Sequence, residues 1–215
     1  MFLAGEGETW DMEPVSLELG RVSRICIANQ AFKRLKLYID LCPFEVGGLG
    51  TVEPLGRDLL VTHIFLIRQR VSDTDTELDP QALADHLWQT LQGGGDLSSL
   101  RVWWHSHAEA PILWSETDEQ TIATLQIDQL VSIVGNKRHE FACRLDQFQP
   151  ERATFDRIPL VPLHEEILGD EESLRRQITA ELREKLTPVR RDVPLVPELL
   201  LNPSSTLEFP ISFDQ

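Results

Sequence analysis

The sequence predicts an α/β fold, a mixed β-sheet flanked by helices over residues 15–160, followed by a C-terminal helix and tail. Three observations carry this. Strand-like runs and helix-like runs alternate through the first 160 residues. Hydrophobic residues make up 41% and charged residues 26% of the chain, a globular balance. The 215 residues suffice for one domain of ordinary size plus extra segments.

The elements follow in order. Residues 1–14 are acidic, carry no basic residue, and read as a flexible arm. Val22–Ala28 alternates loosely and reads as a strand. Asn29 is placed to cap the helix AFKRLKLYIDL, which Pro43 stops. EVGGLGTVEP is a short glycine-rich strand that Glu45 opens, and LLVTHIFLI is a strand rich in β-branched residues. The polar run 68–79 reads as a loop. Asp79-Pro80 opens a helix bearing Leu83, Leu87, Trp88 and Leu91, which the glycines at 93–95 end. LRVWW is a strand running into His105. Ser115 begins the next helix. LVSIVG, a GNKRH turn and EFACRLDQF form a hairpin, and ERATFDRIPLVPL supplies a further strand. Residues 161–187 read as a charged helix with Ile167, Leu174, Ile178, Leu182 and Leu186 on one face. Residues 188–215 are a proline-rich tail.

The formal net charge is −15 and the pI is about 4.7. Such a surface repels phosphate backbones, which argues against a nucleic-acid partner. Cys26, Cys42 and Cys143 are odd in number, widely spaced and without a CxxC pair, so they read as small buried apolar residues in a reducing cytoplasm. The N-terminus has no basic region followed by an apolar run, and no stretch approaches the ~20 apolar residues that span a bilayer. A soluble cytoplasmic protein with no membrane partner is expected.

The chemistry concentrates in residues 105–118. His105 and His107 follow a strand at a separation of two, and such residues point to one side of an extended chain, so both imidazoles can reach one ion. Asp118 lies in the first turn of the next helix, which can return to the histidines. Two histidines and a carboxylate make a three-ligand zinc site with an open fourth position for water. Zinc lowers that water's pKa towards ~7. A carboxylate beside it is needed as proton acceptor, and Glu45 is the candidate. Of Trp103 and Trp104, one ring is expected in the core and one near the site. Ser115-x-x-Asp118 also fits a capping box, a structural role that leaves the other Asp118 oxygen free for a metal.

Glu45 followed by H-S-H-x7-S-x2-D at 105–118 resembles the JAMM motif of the MPN-plus, or JAB, metalloproteases. Each position has the expected residue type and spacing, and the similarity covers residues 18–150. The resemblance implies a cytidine-deaminase-like JAB/MPN core and one Zn2+ per chain, with a bound water, on His105, His107 and Asp118. It implies Glu45 as general acid/base and Ser115 as a donor to the zinc water or to the oxyanion; Ser106 is not expected to be a ligand. The activity implied is hydrolysis of a peptide or isopeptide bond at the C-terminus of ubiquitin or a ubiquitin-like protein, in deconjugation or precursor processing. E1- and E2-like enzymes are the partners such a pathway implies. Two departures stand out. Gly50 occupies a position where an apolar residue is common, which bears on the local strand register. About a dozen residues separate Asp118 from the next strand, too few for a substrate-guiding insertion, so the 68–79 segment becomes the expected substrate contact.

Other classes fit less well. A serine hydrolase would need a GxSxG elbow, which is absent. A nucleobase deaminase would need H-x-E with P-C-x-x-C. A non-catalytic MPN-type scaffold is the remaining alternative, although such relatives commonly lose ligands. His63 reads as a hydrogen-bonded core residue, and His86, His139 and His164 are not assigned to metal. The apolar runs VPLVPELLL and LEFPISF in the tail read as packed on their own domain or disordered, with a partner's sheet edge or groove as the alternative.

Overall fold

The structure, a computed structural model, describes residues 22–125, 127–163 and 170–189. The N-terminal arm, His164 and Ile167, and the tail beyond Val189 lie outside the described residues.

The elements are β1 (Ile25–Ile27), α1 (Asn29–Leu41), β2 (Gly47–Leu55), β3 (Asp58–Leu66), β4 (Gln69–Val71), β5 (Thr76–Leu78), α2 (Pro80–Gln92), β6 (Val102–Ser106), α3 (Glu116–Thr124), β7 (Gln129–Gly135), β8 (Phe141–Gln147), β9 (Ala153–Phe155), β10 (Leu160–Pro162), α4 (Glu171–Lys185) and β11 (Leu186–Pro188). Eight strands form one mixed sheet in the order β10-β1-β3-β2-β6-β7-β8-β9. The Ile158 amide donates to the Cys143 carbonyl of β8 (3.0 Å), and the Ile25 amide of β1 donates to Pro159 (2.9 Å). The β9–β10 connection thus joins both halves of the sheet, which curls. The fold is therefore a mixed α/β one, a curled sheet flanked by helices.

Local sequence explains most boundaries. The cap position of α1 is Ala28, without a side-chain cap bond, and Asn29 is the first helical residue rather than the cap. Burial of Ala31, Leu35, Tyr38 and Ile39 along one stripe holds this helix on the sheet. Gly56 opens the two-residue β2–β3 turn at φ 61°, where tight hairpins take positive φ. Asp79 caps α2, accepting from the amides of Gln81 (2.9 Å) and Ala82 (3.0 Å). On the inner face, Trp104 stacks on Tyr38 at 5.4 Å, and Leu174, Ile178 and Leu182 of α4 join the same core. Trp103 lies on the opposite face with Ile122 of α3 and Leu130. The two tryptophans thus part as alternation requires.

Several expectations are corrected. The polar run 68–79 is no loop. It is the hairpin β4–β5, to which β11 adds a third, parallel strand (Leu186↔Gln69 to Pro188↔Val71). Although α2 carries apolar residues at helical spacing, none of its residues is buried, Trp88 is 62% exposed, and the His86 ring meets Phe65 of the sheet at 4.9 Å. His63 is exposed rather than core, because it sits on the β3 face opposite Ile64, with Nδ1 beside the Thr51 (3.1 Å) and Thr62 (3.2 Å) hydroxyls. The segment 153–162 forms two short strands instead of one, and β10 is an edge of the main sheet. Among the described residues, no helix is long and apolar enough to cross a membrane.

Candidate metal centre

The end of β6 lies between β2 (Gly47↔His105) and β7 (His105↔Val134). The His107 amide donates to Gly135 at 2.9 Å, so extended pairing continues one residue past the strand. The alternation of Trp103, His105 and His107 therefore holds, and all three face one side. Trp103 stacks on the His105 ring at 4.4 Å. Ser106 points the other way and is buried. Its amide donates to the Val46 carbonyl (2.8 Å), and its Oγ accepts from the Val46 amide (3.1 Å). The serine between the histidines thus pins the segment that carries Glu45.

Glu45 does not open β2 as expected. Pairing starts at Gly47, and Glu45 lies in the preceding turn with its amide on the Ser72 carbonyl (3.0 Å). Gln69, fully buried in β4, extends a strand-like bond pair to Gly47. Its Oε1 accepts from the Gly47 amide (2.9 Å) and its Nε2 donates to the Gly47 carbonyl (2.7 Å). A Cβ on Gly48 would stand 2.0 Å from the Phe65 carbonyl oxygen, so the glycine of Glu-x-x-Gly is required by strand contact. Gly50 keeps regular register with Ile64 and Val102, and the irregularity falls at Thr51/Val52.

Ser115 caps α3 in a complete capping box. Its Oγ accepts from the Asp118 amide (3.1 Å), and the Asp118 Oδ2 accepts from the Ser115 amide (2.7 Å). This locks the Asp118 carboxylate facing the histidines. His105 Nε2 lies 3.0 Å from Asp118 Oδ1 and 3.1 Å from His107 Nε2, and His107 Nε2 lies 3.5 Å from Asp118 Oδ2. All three residues are buried, and the three donor atoms fall within 4.8 Å of one another.

The donor set fits a metal ion. His107 Nδ1 sits 3.1 Å from the Pro111 carbonyl, an acceptor, so Nδ1 carries the proton and neutral His107 presents Nε2 as a lone pair. That lone pair faces a carboxylate oxygen and a second imidazole nitrogen in a buried place, which needs a proton or a cation between them. Tetrahedral ligation with bonds of ~2.0–2.1 Å sets donor separations of about 3.3–3.4 Å; the two histidine nitrogens lie 3.1 Å apart, and each has a carboxylate oxygen of Asp118 beside it, Oδ1 at 3.0 Å from His105 and Oδ2 at 3.5 Å from His107. This buried group can therefore hold a metal ion.

Burial lowers the His105 pKa against the pull of Asp118, which favours its neutral ring. The Asp118 carboxylate raises the His107 value, an attraction for positive charge at Nε2 that a proton or a metal cation would satisfy. Burial alone would raise the Asp118 carboxyl, but the two histidines and the Ser115 amide prevail and hold it well below the usual carboxylate range. A cleft of about 100 Å³ opens onto these atoms. Glu45 and the hairpin residues Thr74–Thr76 line one side, and Ser115, Asp118 and Thr121 line the other. Burial pushes the Glu45 carboxyl up to about 7, with Asp118 and Asp75 adding to the rise and His107 opposing it.

All five residues singled out in the sequence meet at this cleft. The sequence reading missed the residues that hold them: Gln69, Ser106 as a clip, the Pro111 carbonyl, and Arg144, whose guanidinium binds Glu119 of α3. Among the described residues, His63, His86 and His139 are not part of the triad, and His139 pairs with Asp40 at 2.8 Å. No family model and no curated protein matches the sequence. Among solved structures, the solution structure of protein DSY2949 from Desulfitobacterium hafniense is similar at 15% identity and a TM-score of 0.48, covering 66% of this chain and 94% of that one.

Proposed function

We propose that this chain is a zinc-dependent hydrolase of the JAMM/MPN-plus type with a cytidine-deaminase-like core. Its substrate is a peptide or isopeptide bond at the C-terminus of a ubiquitin-like protein. The observation that carries this reading is the buried convergence of His105, His107 and Asp118 with a free carboxylate, Glu45, across the same small cleft. A zinc ion held by the three would act as a Lewis acid on the scissile carbonyl and bring the pKa of water towards ~7.

The chain's own residues supply the remainder. Glu45, with a carboxyl near 7, accepts the proton of the attacking water and delivers it to the leaving amine. The Ser115 Oγ uses a lone pair for the Asp118 amide, which leaves its proton to donate to the developing oxyanion. Trp103, stacked on His105, keeps water from that imidazole. Among the described residues β5 pairs with β4 alone, so its other edge, which Thr76 brings to the cleft, suits an extended substrate strand.

The test is metal analysis with cleavage of a ubiquitin-like fusion. One zinc per chain and cleavage are expected, and Glu45→Gln should keep the metal and lose cleavage. Zinc binding with no cleavage of any ubiquitin-like conjugate would favour the non-catalytic scaffold; a protein that binds no zinc would end the reading.

A further inference from the structure

Arg144 takes no part in the chemistry above, yet only 5% of it is exposed. It stands on β8 opposite Ser132 of β7, which stands opposite Trp103 of β6. Its side chain therefore lies on the metal face, two strands from His105. The guanidinium Nε and Nη2 donate to Asp146 at 2.7 and 3.2 Å. Nη1 and Nη2 donate to the two oxygens of Glu119 at 2.5 and 2.9 Å. Its carbon lies 4.9 Å over the Trp114 ring, whose Nε1 donates to Asp156 at 3.1 Å. Asp146 alone would neutralise the buried cation, so the second carboxylate is there for position rather than for charge.

What this group holds is specific. Trp114 immediately precedes Ser115, and Glu119 immediately follows Asp118. One buried cation thus grips both ends of the capping-box turn. The helix behind that turn is weakly anchored otherwise: α3 has nine residues, and Ile122 is its one buried apolar side chain. A helix on a single apolar anchor can rock about it, and a bidentate fork at its first turn removes that freedom.

We propose that Arg144 is the positioning residue of the metal-binding turn. Through Glu119 and Trp114 it sets where Asp118 stands against His105 and His107, so metal affinity depends on an ion pair that never touches the ion. This rests on the metal-centre reading above.

The experiment compares wild-type protein with Glu119→Ala and Arg144→Lys in the full chain. The Glu119 side chain is 50% exposed, so its removal bares no apolar surface. The metal-free Glu119→Ala protein should melt within a few degrees of wild type. Its zinc affinity, measured by competition with a chromophoric chelator, should fall by about 10-fold or more. Arg144→Lys keeps the charge and loses the fork, and should fall likewise, with an altered cobalt absorption spectrum. Zinc affinity within twofold of wild type in Glu119→Ala overturns the proposal. A loss of affinity matched by a large drop in the metal-free melting temperature also overturns it, since the role would then be structural support alone. If wild-type protein itself binds no zinc, the metal-centre reading is what has failed.

Discussion

Ser115 is a helix cap to which the proposed mechanism adds a catalytic role, and replacing it with alanine separates the two. In the structure its Oγ accepts from the Asp118 amide at 3.1 Å, closing the capping box. Losing that cap costs about 1 kcal/mol, which in a domain of this size is a fall of roughly 2–4 °C in melting temperature. Metal binding should change little, because the Asp118 Oδ2 is held by the Ser115 backbone amide at 2.7 Å, and alanine keeps that amide. Zinc affinity should therefore stay within tenfold of wild type. Turnover should respond far more. If the hydroxyl donates to the oxyanion, its removal lowers kcat by about 10²–10³. Ser115→Thr retains the hydroxyl and should retain most of the activity. The assay is steady-state cleavage of a ubiquitin-like fusion, with a thermal melt and a zinc titration on the same samples. A variant that melts lower, binds zinc and turns over at the wild-type rate would refute the catalytic role and leave Ser115 a helix cap.

Four further outcomes are expected. The Glu45 carboxyl, raised to about 7 by burial, is protonated below that value and cannot accept a proton, so kcat/KM should fall as pH drops through 7; a bound cation favours the carboxylate and moves this limb lower. A pH profile with no acidic limb that Glu45→Asp displaces would contradict the assignment. Zinc at about 100 times its dissociation constant stabilises by about 2.7 kcal/mol, or roughly 5–10 °C; chelation should remove this gain and His105→Ala should never show it, and equal melts with and without chelator would count against a native site. Gln69→Leu leaves the buried Gly47 amide and carbonyl unpaired, at about 1–3 kcal/mol each, and hydrogen exchange should show the β4–β5 hairpin opening; unchanged protection there would dismiss the clasp. Burial raises the thiols of Cys26, Cys42 (to about 11) and Cys143, so a thiol reagent at pH 8 should label none in the folded protein and all three after denaturation.

What the sequence made legible was local. His105 and His107 share a face because a strand alternates, and Ser115 and Asp118 face each other because a capping box fits one helical turn. Both follow from spacings of two and three residues. The separation of Trp103 from Trp104 was readable for the same reason. What stayed hidden was contact at long range. Gln69 lies 22 residues from Gly47, Arg144 lies 25 from Glu119, and Ser106 lies 60 from Val46. A lone polar residue in a strand reads as solvent-facing, and no local spacing tells whether a neighbouring strand offers it a partner. The 68–79 hairpin was missed on related grounds. Its strands have three residues each, too few for a period, and β5 is polar because it borders the cleft. The apolar spacing of α2 suits a buried face, yet none of its residues is buried. The residues of the candidate site therefore carried a local signature, whereas the groups that orient them did not. Arg144 and Gln69 each brace one wall of the cleft from a strand that contributes no ligand, so the precision of the triad is a property of the assembled sheet rather than of the motif.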